Sequence, residues 1–124
     1  MSEAARFSSC FEIDDATRIC VVSLAGNLDP EAVGELHPQV QELFRAGYRL
    51  FVFDMSSLDY VGSLGLRLLV GLSNQVKGEG SATLCQMKDG VRSVIEMTKL
   101  DLVLTTFPSR DAAVAAATSG TAKG

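Results

Sequence analysis

A serine stands between a glycine and a leucine in the run MSSLDYVGSLGLRLLVGL, residues 55–72. Its hydroxyl could attack a carbonyl, cap a helix or accept a phosphate. Attack requires a base and an orienting acid that converge on the serine. Gly62-Ser63-Leu64-Gly65 partly matches the G-x-S-x-G nucleophile elbow, but Val61 takes the place of the first glycine. The only histidine, His37, precedes the serine and falls inside a helical stretch. A small serine hydrolase is therefore the remotest reading. Neither G-x-G-x-x-G nor G-x-x-x-x-G-K-[ST] occurs, so nucleotide-binding loops are lacking too. Cys10, Cys20 and Cys85 lie in apolar runs without zinc or redox spacing, as expected of reduced, buried thiols. The carboxylates form no ligand cluster with His or Cys. No catalytic residue, metal or cofactor is expected.

The other two roles are compatible. A serine at the start of an apolar helix is a natural N-cap, its hydroxyl accepting from a first-turn N–H for about 1 kcal/mol. Leu66 stands where a capping box would place an acid. The same helix end has free N–H donors and the positive end of the helix dipole, so it tolerates a phosphate. Phosphorylating Ser63 would add roughly two negative charges to the surface. Arg67, one turn on, would partly neutralise them. A partner meeting this edge with apolar or acidic groups would be repelled, which is the chemistry of a binary switch.

The surrounding sequence must position that serine. Residues 6–13 (RFSSCFEI) and 18–25 (RICVVSLA) read as two strands joined by the turn DDAT. Asp29-Pro30 starts a helix, and Val33, Leu36, Val40, Leu43 and Phe44 form its apolar stripe. Pro38 predicts a kink or break, and Gly47 a C-terminal cap. Residues 49–55 (RLFVFDM) form a continuous apolar run, as in a strand buried on both faces. A helix over 63–77 follows, then a strand over 81–87, a helix capped by Asp89 with Val91, Val94 and Ile95, a strand over 102–107, and a last helix opened by Ser109. The order ββαβαβαβα predicts an α/β fold, a mixed, mostly parallel sheet of about five strands with an N-terminal hairpin, covered by about four helices. Two loops, GNLDP and SSLDYVGSLG, would meet at the carboxyl edge if their strands are neighbours.

With those elements in place, the chain resembles the STAS domain, and more closely the bacterial anti-sigma factor antagonists. The resemblance is carried by Gly26, Leu28 and Asp29 of G-x-L-D, and by Asp54, Tyr60, Val61, Gly62, Ser63, Leu64, Gly65 and Leu66 of FDMSSLDYVGSLGL. It runs from about Phe7 to Ala117, implying one STAS domain over 6–117 and a disordered tail over 118–124. The family pattern, D-S-[ST]-G-L, makes Ser63 the phosphate acceptor. The resemblance further implies that the kinase is the anti-sigma factor itself, that the unphosphorylated form binds it and frees the sigma factor, and that a phosphatase resets the switch. Asp29 matches the family's acidic residue beside the acceptor. Asn27, Ser57, Gly62, Leu64 and Arg67 join the partner-binding surface by position. Three positions depart from the pattern: Gly62 replaces an aspartate, Leu64 a second hydroxyl, and Lys99 a helix-ending glycine.

Composition bounds the rest. At 124 residues, 47% hydrophobic and 21% charged, the chain is an ordinary single-domain sequence. Its net charge of −4 without a basic stripe argues against direct nucleic-acid binding. No membrane span or secretory signal is visible, so a cytoplasmic location is expected. The expected function is a non-enzymatic binding module in transcriptional signalling. The alternative is a STAS subunit of a larger assembly, such as a stress-signalling scaffold or a lipid-transport ATPase complex, which binds partners without phosphorylation.

Overall fold

A computed structural model describes residues 6–119. The first two strands, β1 (Ser8–Asp14) and β2 (Ile19–Leu28), pair antiparallel. Asp14 closes the turn by accepting from the Ala16 N–H at 2.9 Å, and Arg18 brings the chain back with φ at 62°. Helices α1 (Pro30–Arg45), α2 (Ser63–Val76) and α3 (Asp89–Met97) then alternate with the parallel strands β3 (Leu50–Val61), β4 (Ser81–Cys85) and β5 (Thr105–Phe107). Helix α4 (Arg110–Ser119) ends the described chain, with Ser109 Oγ accepting from the Ala112 N–H at 3.1 Å. The strand order is β1-β2-β3-β4-β5, the mixed α/β sheet that the sequence predicts.

Because successive right-handed crossovers step one way across the sheet, α1, α2 and α3 fall on a single face. Their main core joins Val22, Leu24, Phe51, Phe53 and Leu84 of the sheet to Leu36, Val40, Leu69, Leu72, Val91 and Ile95 of the helices. Alternate strand residues point the other way. There, among the described residues, Ile19, Val52 and Cys85 meet Ala113 and Ala117 of α4 as buried partners. Cys20 and Cys85 are buried as expected, on opposite faces, whereas Cys10, also expected to be buried, is exposed because the edge strand β1 turns alternate residues to solvent. Burial pushes the Cys20 and Cys85 thiols up to about 11, with the Asp54 charge adding to the effect at Cys85.

Several boundaries differ from the sequence reading. Helix α1 runs unbroken through Pro38. Gly34 and Pro38 are exposed, so water can serve the carbonyl that the proline leaves without a donor. Gly47 does end α1, at φ 103°, with its N–H on the Phe44 carbonyl and that of Tyr48 on Leu43. Lys88, not Asp89, holds the N-cap position of α3, and Asp89 instead pairs with Arg92 at 3.1 Å. The strand expected over 102–107 shortens to Thr105–Phe107, because Leu100–Leu102 form a 3-10 turn. The fourth strand stops at Cys85, before Gln86 at φ 57°. Helix α4 extends two residues into the expected tail, and residues 120–124 lie outside the described residues.

The missing glycine after α3 has a structural consequence. Lys99 adopts φ 63°, ψ 20°, with its N–H on the Glu96 carbonyl at 3.1 Å. A residue with a Cβ is held there at a cost of about 1–2 kcal/mol. Glycine removes that cost but gives up about 0.5–1 kcal/mol of backbone entropy. Lys99→Gly is therefore expected to stabilise the fold by about 0.5–1 kcal/mol. A rise in the urea midpoint at constant m-value checks it.

Candidate functional site

Neighbouring parallel strands bring the two predicted loops together, although most of each is strand. β2 continues through Gly-Asn-Leu, and β3 runs through Ser-Ser-Leu-Asp-Tyr to Val61. Their register slips between Ser23 and Ala25 and again between Gly26 and Asn27, each time adding one residue to β3. These bulges let a long segment stay paired. At the first, Asp54 accepts from the Ser56 N–H at 2.9 Å. At the second, Gly26 holds φ 88°, a conformation that favours glycine and accounts for the first residue of G-x-L-D.

Beyond the paired ends Leu28 and Val61, both chains turn into helices. The Gly62 N–H donates to the Leu28 carbonyl at 3.1 Å, tying the two helix starts together. Asp29 caps α1, accepting from the Ala32 N–H at 2.9 Å, with Pro30 as the first helical residue. Gly62 is the N-cap of α2, extended at φ −96°, ψ −178°. Ser63 is consequently the first helical residue rather than the cap, because the link to Leu28 holds Gly62 in the non-helical cap conformation. The first intrahelical bond runs from the Leu66 N–H to the Gly62 carbonyl at 3.0 Å. The N–H groups of Ser63, Leu64 and Gly65 precede it and have no side-chain cap among the described residues.

Gly65 explains why the helix can sit so low. A Cβ there would lie 2.9 Å from Leu28 Cγ and Cδ2 and from Val61 Cγ2. The glycine of the motif thus seats α2 on the ends of β2 and β3. Ser63 is exposed above this contact, beside Leu64, which is 40% exposed. Tyr60, 51% exposed, places its hydroxyl 3.1 Å from where a Gly62 Cβ would be. The ring covers ground that an aspartate at position 62 would share. The motif alone does not single out Tyr60; its exposure on a strand between the buried residues Leu58 and Val61 marks it as surface.

The other candidates are less tightly gathered. Arg67 is exposed one turn after Ser63 and lines two shallow grooves. One, about 400 Å³, contains Ser63, Leu66, Val70 and Leu100. The other, about 410 Å³ between α1 and α2, contains Val33, His37, Leu64 and Leu68. His37 thus opens onto the second groove and Ser63 onto the first. Asn27 is half-buried opposite Tyr60. Ser57 is exposed opposite Ala25, four residues before the end of β3 and thus on the order of 13 Å up the strand at ~3.3 Å per residue. The structure brings together Asp29, Gly62, Ser63 and Leu64, with Arg67 a turn away, but leaves Ser57 apart. Among the described residues no group of three His, Cys, Asp or Glu is placed to hold a metal, and no helix is long and apolar enough to cross a membrane.

The Asp29 cap has a measurable role of its own. Asp29→Ala is expected to lower stability by about 1 kcal/mol, through the unpaired Ala32 N–H and the lost charge at the helix start. Asp29→Asn, which keeps the acceptor, should recover most of it in chemical denaturation.

The family model described as the STAS domain matches residues 11–113. The protein named anti-sigma factor antagonist BtrV, from Bordetella bronchiseptica, is 32% identical over 107 residues, spanning 85% of this chain and 89% of BtrV. An anti-sigma factor antagonist structure from Mycobacterium paratuberculosis superposes with a TM-score of 0.82 at 23% identity, over 90% of this chain and 94% of that one. The Bacillus cell fate determinant SpoIIAA, in its phosphorylated form, gives 0.67 at 19% identity, over 85% and 96%. The two structures support the fold, and the family match with BtrV supports membership. The chain belongs to the STAS domain family, among its anti-sigma factor antagonists.

Proposed function

We propose that this chain works in the cytoplasm as an anti-sigma factor antagonist switched by phosphorylation of Ser63. Its partner is an anti-sigma factor that is also a serine kinase, and a phosphatase restores the binding form. The observation that carries the reading is an exposed serine at the first position of α2, above three N–H groups without intrahelical partners.

The unphosphorylated edge offers Leu64 and Tyr60 as apolar contacts, flanked by the half-buried carboxylate of Asp29. A phosphate on Ser63 finds backbone donors, the positive end of the helix dipole and the nearby Arg67, so the fold accepts it. The partner meets roughly two new charges at the centre of the contact. Gly62 places no carboxylate beside the acceptor, which lessens like-charge repulsion of the incoming phosphate. The added charge acts on the partner and leaves the fold in place.

Incubation with the cognate kinase and ATP, followed by tandem mass spectrometry, tests the proposal. One phosphate on Ser63 supports it. An unmodified Ser63, with the partner still bound, would favour the constitutive STAS subunit of a larger assembly. Leu64, an exposed apolar residue in place of a hydroxyl, is the feature that favours that second reading.

A further inference from the structure

We propose that α4 is a releasable strap, which lifts from the sheet while the rest of the domain stays folded and uncovers an apolar face on the side away from Ser63. The two faces of the sheet are covered unequally. On the main face α1 alone buries Leu36 and Val40, and α2 buries four leucines and a valine. On the other face α4 offers Ala113 and Ala117 against Ile19, Val52 and Cys85, with Val114 and Phe107 half-covering the margin. Alanine removes little apolar area from water, so α4 is held by much less burial than α1 or α2.

Arg110 links α4 to the sheet through two carboxylates. Arg110, at the start of α4, pairs with Glu12 of β1 and stands 3.8 Å from the Asp54 carboxylate. The pair with Glu12 is solvent-accessible and holds weakly, so the tie that resists lifting is the one to the buried Asp54 carboxylate, which is lost when α4 opens. Thr83 alternates with Ala82 and Leu84 of the main core, so its side chain shares the α4 face with Cys85. Among the described residues its hydroxyl finds no hydrogen-bond partner, in a residue 1% exposed. Water admitted by lifting α4 would satisfy it, which works against the closed state. A weak cover over an unsatisfied polar group is a unit that opens below the free energy of global unfolding.

The cysteines provide the test. In a Cys10→Ser background, Cys85 lies under α4 and Cys20 under the main core. With a thiol reagent under native conditions, Cys85 is expected to react at least about tenfold faster than Cys20. Ile95→Val, a mild change confined to the main core, should speed Cys20 about fivefold and leave Cys85 unchanged. Arg110→Ala should speed both by a common factor, because its contacts are lost in either opening. Equal wild-type rates that both respond to Ile95→Val would overturn the proposal, since α4 would then open only with the whole domain. A Cys85 rate indifferent to Arg110→Ala would also overturn it, assigning the exposure to fraying of β5.

Discussion

Gly80→Ala is expected to destabilise the domain by about 3 kcal/mol or more. An added Cβ would lie 2.1 Å from the Arg49 carbonyl oxygen and 2.8 Å from its carbon. That carbonyl cannot easily retreat, because it accepts the Ser81 N–H at 3.0 Å where β3 and β4 begin to pair. Gly80 is fixed on its own side by an N–H bond to the Val76 carbonyl at 2.8 Å. The clash is therefore between a Cβ, whose place the backbone fixes, and a backbone carbonyl, and no rotamer change relieves it. Gly71→Ala provides the contrast. It lies on the exposed surface of α2 with nothing within 4 Å of an added Cβ, so the change should stabilise by up to about 1 kcal/mol through helix propensity. Urea denaturation of the two variants should move in opposite directions. A Gly80→Ala protein as stable as the parent would show that α2 is not pinned to the sheet in this way.

The second large effect is on binding. Ser63→Asp is expected to weaken binding of the anti-sigma factor at least about a hundredfold, while Ser63→Ala binds like the parent. An aspartate at this position puts a charge beside the exposed Leu64 and Tyr60, at the centre of the proposed contact. At the first position of α2 the same charge favours the helix by about 0.3–1 kcal/mol. The variant should consequently be as stable as the parent while losing its partner, which separates repulsion from unfolding. Ser63→Asp binding with undiminished affinity would remove electrostatic exclusion from the account.

Much of this was legible in the sequence because the relevant forces are local. Asp29-Pro30 specifies a helix start, Gly47 a helix stop, and the apolar run 49–55 a strand buried on both faces, all as found. The stretch between residues 56 and 62 was not legible as strand. Its pairing depends on two one-residue slips against β2, and a bulge is set by the partner strand rather than by its own sequence. The position of Ser63 failed for a related reason. Helix propensity locates the start to within a residue, but the long-range bond from Gly62 to Leu28 decides which residue is the cap. Pro38 misled because its effect depends on whether the abandoned carbonyl faces water, a property of burial. Gly65 stood in the quoted motif, yet its close approach to Leu28 and Val61 emerges only from the packing of α2.

In the proposed switch a phosphate on Ser63 excludes the partner without disturbing the domain. Calorimetric titration of the anti-sigma factor into the protein, before and after stoichiometric phosphorylation, tests this most directly. The expected result is tight one-to-one binding before, at least about a hundredfold weaker binding after, and recovery on treatment with phosphatase. Equal affinity in the two states, with the phosphate mapped to Ser63, would contradict it.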